Sequence, residues 1–454
     1  MRKYFGTDGI RRIANTELSP NLVYRVAKAG AYVLSKHSDH TPTILIGRDT
    51  RISGTLIESA MVAGFLSYGA NVKILGVLPT PGVAYLTKKL KADASVVISA
   101  SHNTYEFNGV KYFSNKGMKI PDELEEEIEE VMDSGKLDDF SAVNEKIGVS
   151  EIRTDLLDEY VYFFRKNFEE DFENLDMSNF VVAIDTANGA TSVVAEKVFS
   201  ALGIKHYILN NTPNGTNINE NCGSTHLDVL KKYVVENNCN LGIAYDGDGD
   251  RCLAVDEKGN EIDGDKLLAI FSNYMKEKGI LKNDTLVATV MSNLGLKKYA
   301  EGNNINFEET KVGDRYVLEK MLEKGYNLGG EQSGHIILLD YNPTGDGILT
   351  SLMLTKIILE KNVSASKICD IIKIYPQVLI NAKVSSDKKY DFDKDEEIKE
   401  EIAKLDKEFS GNGRVLIRPS GTEPLVRVMI EGTDKEYITT KAKELAKLIE
   451  KKLN

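Results

Sequence analysis

Three carboxylates stand on alternate residues in Asp246-Gly247-Asp248-Gly249-Asp250-Arg251, directly after the apolar run GIAY. Carboxylates at this spacing, with glycines that let the backbone turn tightly, place several hard oxygen ligands around one divalent cation. Without a cation they would repel one another and some would take up protons, which argues against a plain acidic surface turn. A calcium loop is a rival, since Glu257 stands twelfth counting from Asp246. It fails at the sixth position, where the required glycine is Arg251, and the following CLAVDE reads as a strand, not a helix. An aspartyl phosphatase, whose nucleophile is the first Asp after a strand, stays open on these residues alone.

A second signal is Ser99-Ala100-Ser101-His102-Asn103, just past VVIS. A serine at the C-terminal end of a parallel strand lies where open α/β sheets bind ligands, so Ser101 could be a nucleophile or phosphate carrier; the bland reading is a hydrogen-bonded loop. Asn108-Gly109-Val110-Lys111 puts an amine about one loop away, usable as acid or base if its pKa is lowered. Gly329-Gly330-Glu331-Gln332-Ser333-Gly334-His335 offers a carboxylate, a hydroxyl and an imidazole, which suits vicinal sugar hydroxyls. Arg418-Pro419-Ser420-Gly421-Thr422-Glu423-Pro424, followed by Arg427, has the composition of a phosphate nest. Each of these two is a bland turn on its own; together, at the sheet ends of successive domains, the four loops are hard to dismiss.

The elements that must position them alternate. Ser19-Pro20 reads as an N-cap and N1 of a helix to about residue 36, TILIG (43–47) as a strand, 55–69 as a helix and NVKILG (71–76) as a strand. Pro81 opens another helix, and ASVVISA (94–100) is a continuous apolar strand of the kind buried on both faces. The acidic stretch 121–136 carries Leu124, Ile128 and Met132 at i, i+4, i+8 and reads as a solvated helix with one apolar stripe. A second round follows a connecting helix after residue 150 and holds strands 180–185 and 241–246; a third continues the rhythm through helices near 264–278, 293–301 and 313–324. The last stretch, with long helices at 394–408 and 434–452 flanking RVLIRP and PLVRVMIEG, reads as α+β. The expected fold is α/β: three successive α/β domains with mostly parallel mixed sheets and right-handed crossovers, plus a smaller C-terminal α+β domain. The expected divisions are 1–150 with the serine loop, 151–253 with the metal loop, 254–368 with the sugar loop and 369–454 with the phosphate loop.

Length and composition agree with several domains and a small partner. The chain has 454 residues, too many for one core. Its 57 Lys and Arg against 69 Asp and Glu give a net charge of −12, and no basic run exists to bind nucleic acid or an anionic membrane. No apolar stretch is long enough to span a bilayer and the N-terminus lacks a signal-peptide core, so a cytoplasmic protein is expected. Cys222, Cys239, Cys252 and Cys369 form no CxxC pair and read as reduced and structural.

The ordered set GTDGIR (6–11), ISASHN (98–103), DGDGDR (246–251), GGEQSGH (329–335) and RPSGTEP (418–424) resembles the α-D-phosphohexomutase superfamily along essentially the whole chain. GTNINENCGSTH (215–226), GRDTRISG (47–54), GEQSGH and RPSGTEPLVRV look like its bacterial phosphoglucosamine branch rather than its phosphomannomutase/phosphoglucomutase branch, which is the runner-up. The resemblance implies four domains, heart-shaped around a central cleft, with Ser101 as phosphoserine and Mg²⁺ held by Asp246, Asp248, Asp250 and a Ser101 phosphate oxygen. It further implies Glu331 and Ser333 on sugar hydroxyls, and Arg418, Ser420, Gly421, Thr422 and Arg427 on the phosphate that is not transferred. Arg11, Lys111, Arg251 and His335 match positions near the reacting groups, with Lys111 favoured as acid/base and His335 as its partner. The implied reaction interconverts glucosamine 6-phosphate and glucosamine 1-phosphate through glucosamine 1,6-bisphosphate, with that compound or glucose 1,6-bisphosphate as activator, and a homodimer is the family expectation. Arg12 departs from the family pattern, which usually carries Gly there. A non-catalytic phosphosugar-binding protein is the rival class; Ser101 retained together with all three aspartates weighs against it.

Overall fold

The computed structural model describes residues 3–6, 8–36, 38–420 and 423–454. Strands β1 (Ile10–Ile13), β2 (Thr43–Arg48), β3 (Asn71–Val77), β4 (Ala94–Ile98), β5 (Phe107–Ser114) and β6 (Ser150–Ile152) form a six-stranded sheet in the order β1-β5-β4-β2-β3-β6. Its β4, β2, β3 and β6 run parallel, and β5 is antiparallel to both β4 and β1. Every residue of β4 is buried, as its unbroken apolar run requires. Helix Pro20–Ser35 starts where the sequence predicts, with Ser19 accepting the Leu22 N–H. Its Val23, Val26 and Ala27 pack with Ile44, Ile46, Met61, Phe65, Val96 and Ile98 in one core. The acidic helix, Asp122–Asp133, buries Ile128 and Met132 as expected, but also Glu129, whose carboxylate accepts the Lys3, Tyr4 and Phe5 N–H groups at 2.7 Å.

Strands β7 (Val181–Asp185), β8 (Lys205–Leu209), β9 (Leu241–Tyr245), β10 (Cys252–Asp256) and β11 (Glu261–Ile262) form a second sheet in the order β11-β10-β9-β7-β8. β12 (Thr285–Thr289), β13 (Asn306–Thr310), β14 (Leu328–Gly330) and β15 (Ile336–Leu338) form a third, β13-β12-β14-β15. Both are mixed: β8, β7 and β9, and likewise β13, β12 and β14, are parallel, whereas β10, β11 and β15 run antiparallel to their neighbours. One topology recurs in all three sheets. A first strand lies between a second and a third parallel to it, and after the third the chain turns back as an antiparallel fourth: β4 to β5, β9 to β10, β14 to β15. The serine, aspartate and Glu331 loops each occupy that turn, at the C-terminal end of a parallel strand, where α/β sheets leave room for ligands.

The chain packs as two compact units, residues 1–291 with 305–370, and 292–304 with 371–454. The second unit holds the antiparallel sheet of β16 (Gln377–Lys383), β17 (Gly413–Pro419) and β18 (Leu425–Gly432), in the order β16-β18-β17. Helices Glu396–Phe409 and Lys435–Leu453 cover it through Ile398, Leu405, Ile438, Leu445 and Ile449. Helix Leu294–Gly302, expected in the third domain, belongs to this unit. Asn293 caps it while bonding the Tyr375 backbone N–H and C=O, and Leu294 N donates to Glu431 at 3.1 Å.

In the first unit, Asp346 caps helix Gly347–Lys361: it accepts the Leu349 N–H at 3.0 Å, the Tyr160 hydroxyl at 2.8 Å and Asn342 Nδ2 at 3.1 Å. Gly347 N in turn donates to Gly249 O in the aspartate loop at 3.0 Å. Burial pushes the Asp346 carboxyl up to about 6 against the pull of these bonds. A folded pKa above the unfolded one means that the folded state holds more proton between roughly pH 4 and 6. The associated stability is complete below the unfolded pKa and is lost as pH rises through the folded one. Asp346→Asn removes this titration, so the wild type's stability relative to the variant should fall by on the order of 2 kcal/mol from pH 4 to pH 7. Urea unfolding of both proteins at the two pH values measures it; the same difference at each pH would contradict the assignment.

Candidate active site

Ser101 is 1% exposed and sits at φ 52°, in the left-handed region that costs a non-glycine residue about 1–2 kcal/mol. The turn aims its hydroxyl at the second sheet's loop, where Oγ donates to Asp246 Oδ2 at 2.6 Å. This approach explains Gly247, whose Cβ would lie 2.5 Å from Ser101 O, and Gly249 adopts φ +70° to bring the run round. Asp246, Asp248 and Asp250 are buried and present carboxylate oxygens within 4.8 Å of one another. Asp248 Oδ1 and Asp250 Oδ1 are shielded from solvent and have no hydrogen-bond partner. Orphaned anionic oxygens are costly unless a cation takes them, so the donor set fits a hard divalent ion. Burial, then Asp250 and Asp248, raise the Asp246 carboxyl well above the usual range. For Asp250 burial acts in the same upward direction, but Lys111, His335 and Arg251 overcome it and hold the group well below that range.

Around these aspartates the charges alternate. Lys111 Nζ donates to Asp248 Oδ2 at 2.8 Å and lies 3.3 Å from Asp8 and 3.6 Å from Asp250. It stands on β5, 2% exposed. The lowered pKa which the sequence reading needs is not found: burial disfavours the charge, yet Asp248, Asp8 and Asp250 outweigh it and raise the pKa well above an ordinary lysine. The three carboxylates around Lys111 thus favour its ammonium form. Asp8 also pairs with Arg11 at 2.9 Å and with Lys119, and Lys119 reaches Asp314 at 2.7 Å.

His335 Nδ1 is 3.7 Å from Asp250 and Nε2 3.4 Å from Asp314, while Gly345 N–H donates to Nε2 at 3.0 Å. Burial lowers the imidazole's pKa, but Asp314 and Asp250 raise it further than burial lowers it. The Gly345 bond needs an unprotonated Nε2 while the carboxylates favour the cation, so the two influences pull the titration of the His335 ring in opposite directions. Arg11 also donates to Asn103 Oδ1 at 3.0 Å, and the Arg251 Nε is shielded without a hydrogen-bond partner. Burial, then Arg251 and Arg11, lower the pKa of His102 to about 4, keeping it neutral.

In the Glu331 loop, Ser333 Oγ is shielded without a partner and Glu331 Oε1 accepts Gly313 N at 3.1 Å. Within the second unit, Arg418 on β17 stands directly across from Arg427 on β18. Arg427 also lies 3.7 Å from Glu423, and two guanidinium groups side by side on one sheet suit an anionic ligand. Ser420 Oγ accepts the Glu423 N–H at 3.2 Å. Gly421 and Thr422 lie outside the described residues. Arg12 donates to Lys3 O at 2.9 Å and lies over the Tyr4 ring, tying β1 to the preceding turn. The sequence reading missed Lys119 and Asp314 and gave no role to Asp8 within GTDGIR; Lys119 lies 111 residues from Asp8 and 195 from Asp314. It quoted the stretches holding Asp49, Arg51 and Asn219 without giving those residues a role.

Four sequence models match the chain, those of phosphoglucomutase/phosphomannomutase α/β/α domains I, II and III at residues 2–139, 158–259 and 263–375, and of the C-terminal domain at 379–448. The chain is 52% identical to the phosphoglucosamine mutase of Ruminiclostridium cellulolyticum over 454 residues and to that of Clostridium tetani over 452, covering 100% of both chains in each case. Among solved structures it is similar to a phosphoglucomutase/phosphomannomutase family protein from Burkholderia thailandensis, with a TM-score of 0.82 at 20% identity, covering 99% of this chain and 98% of that one. It is also similar to Aspergillus fumigatus N-acetylphosphoglucosamine mutase in complex with GlcNAc-6P and magnesium, with a TM-score of 0.73 at 16% identity over 100% and 96% of the chains. At these identities the structures speak for the fold.

Proposed function

The chain belongs to the phosphoglucomutase/phosphomannomutase family of phosphohexomutases, and from that premise we propose that it interconverts glucosamine 6-phosphate and glucosamine 1-phosphate. The observation that carries the reading is the Ser101 hydroxyl, buried and 2.6 Å from Asp246 in the three-aspartate cluster, in which Asp248 Oδ1 and Asp250 Oδ1 have no hydrogen-bond partner. Full-length likeness to phosphoglucosamine mutases supports the amino-sugar substrate.

Ser101 carries the phosphoryl group. Its P–Oγ bond breaks as a bond from sugar O1 to phosphorus forms, giving glucosamine 1,6-bisphosphate; the proton of the O1 hydroxyl passes by way of His335 to Ser101 Oγ, which is left as a hydroxyl. After the intermediate turns over, the O6–P bond breaks as Ser101 Oγ takes the phosphoryl group, and the proton that Oγ gives up passes by way of His335 to O6. Lys111, Arg11 and Arg251 supply fixed positive charge where the three phosphoryl oxygens gather negative charge, so catalysis is mainly positioning and electrostatics. Asp246, Asp248, Asp250 and a Ser101 phosphate oxygen would hold Mg²⁺, which when bound neutralises charge on the transferring group. Glu331 and Ser333 take sugar hydroxyls. Arg418, Arg427, Ser420 and the neighbouring Gly421 and Thr422 grip the idle phosphate, whichever end of the intermediate carries it. No helix of the described residues is long and apolar enough to cross a membrane, and the four cysteines are free and buried.

A phosphorus NMR time course with glucosamine 6-phosphate, Mg²⁺ and a trace of bisphosphate, beside glucose 6-phosphate and mannose 6-phosphate, tests the substrate. Fastest conversion of the amino sugar is expected. Turnover of only the glucose or mannose compound would move the chain to the other branch. Arg427→Ala should raise KM for the sugar phosphate about 10–100-fold, the worth of one charge-assisted bond, and change kcat less. It should change thermal stability little, since the ion pair it removes, with Glu423 at 3.7 Å, is a surface one. An unaltered KM would remove Arg427 from the phosphate site.

A further inference from the structure

We infer that Arg51, with Asp49, Ser99 and Asn219, is a positioning device that holds the Ser101 turn in its left-handed conformation; the inference rests on the reading of Ser101 as phosphoryl carrier. Arg51 is fully buried, and its guanidinium spends its donors on the backbone of one loop. NH2 donates to Ser101 O at 2.9 Å and Asn103 O at 2.8 Å, and NH1 donates to Thr104 O and to Phe107 O, the latter at 3.0 Å. Nε donates to Asp49 Oδ2 at 2.8 Å, which neutralises the charge. The same Asp49 oxygen accepts the Ser99 hydroxyl at 2.6 Å, and Ser99 Oγ accepts the Ser101 N–H at 2.9 Å. From the second sheet's side, Asn219 Nδ2 donates to Ser101 O at 2.9 Å and Asn103 O at 2.8 Å.

Both backbone polar groups of Ser101 are thus fixed, N–H by Ser99 and C=O by Arg51 and Asn219 together. None of these side chains hydrogen-bonds the Ser101 hydroxyl. Their chemistry is that of a clamp: a rigid planar fork that spans four carbonyls, which a point-charge ammonium cannot do. The clamp joins the serine loop to the Asn219 loop, so the distance from Ser101 Oγ to the aspartates depends on it. A misplacement near 1 Å costs about 10²-fold in rate when reacting groups must meet in line.

The test uses Arg51→Lys and the milder Asn219→Ala in the full chain. Arg51→Lys should lower kcat about 10²-fold and Asn219→Ala about tenfold, with KM for the sugar phosphate within roughly threefold of wild type. The phosphorus resonance of the phosphoserine should shift or broaden in both. If Arg51→Lys fails to fold, Asn219→Ala must still show the split between kcat and KM. Wild-type kcat in Asn219→Ala, or a loss that appears only as less folded protein with an unchanged phosphoserine resonance, would overturn the clamp. Whether Ser101 carries phosphate in the wild type is read separately by peptide mapping, and its absence there would overturn the proposed function instead.

Discussion

Ser101→Ala should lose turnover by at least about 10⁴-fold while the protein stays folded, because the only atom removed is the proposed phosphoryl acceptor. The structural cost is small. Alanine tolerates the φ of 52° no worse than serine, and the loop's backbone bonds to Ser99, Arg51 and Asn219 all remain. What is lost is the donor to Asp246 Oδ2, worth roughly 1 kcal/mol. Intact mass should show one phosphoryl group on wild-type protein incubated with sugar bisphosphate and none on the variant. Full activity in the variant would remove Ser101 from the reaction.

Asp248→Asn should raise the Mg²⁺ concentration needed for half-maximal activity at least about tenfold and lower kcat by on the order of 10²-fold at saturating metal. Asparagine keeps the size of the side chain and can still accept from Thr80 Oγ1, now 2.6 Å from Asp248 Oδ2. It removes one of three anionic donors and the nearest negative charge to Lys111. The buried ammonium keeps Asp8 at 3.3 Å and Asp250 at 3.6 Å, so the chain should remain folded. An unchanged metal titration would take Asp248 out of the metal site.

How far the sequence carried depends on whether an interaction is local. Apolar runs ending in chemistry-bearing turns located β4 and β9, and Ser19-Pro20 located the first helix, because each signal lies within a few residues of what it specifies. β5 was passed over. Gly109 pairs with Arg11 on β1, and the strand lies between β1 and β4 in its sheet. Lys111 was consequently read as an acid or base that needs a lowered pKa, whereas the three carboxylates around it raise that pKa. The aspartate cluster was legible because its members alternate along the chain. The ion pairs that complete it were not, since Asp8, Lys119, Asp314 and His335 meet only after three separate sheets have formed. Arg51 gave no signal of its own, as nothing in a loop sequence distinguishes a solvated arginine from one wrapped by four carbonyls. The threefold recurrence of strand order was equally hidden, because it is a likeness of topology and not of residues.

The central claim, that the phosphoryl group passes through Ser101, is tested most directly by a single-turnover labelling experiment. Enzyme carrying ³²P on Ser101 is mixed with one equivalent of unlabelled glucosamine 6-phosphate and Mg²⁺, then quenched and mapped by proteolysis. The label is expected to leave the Ser101 peptide and appear in glucosamine 1,6-bisphosphate and glucosamine 1-phosphate, while the same peptide regains unlabelled phosphate from the 6-position. Glucosamine 1-phosphate forming while the label stays on Ser101 would contradict the account.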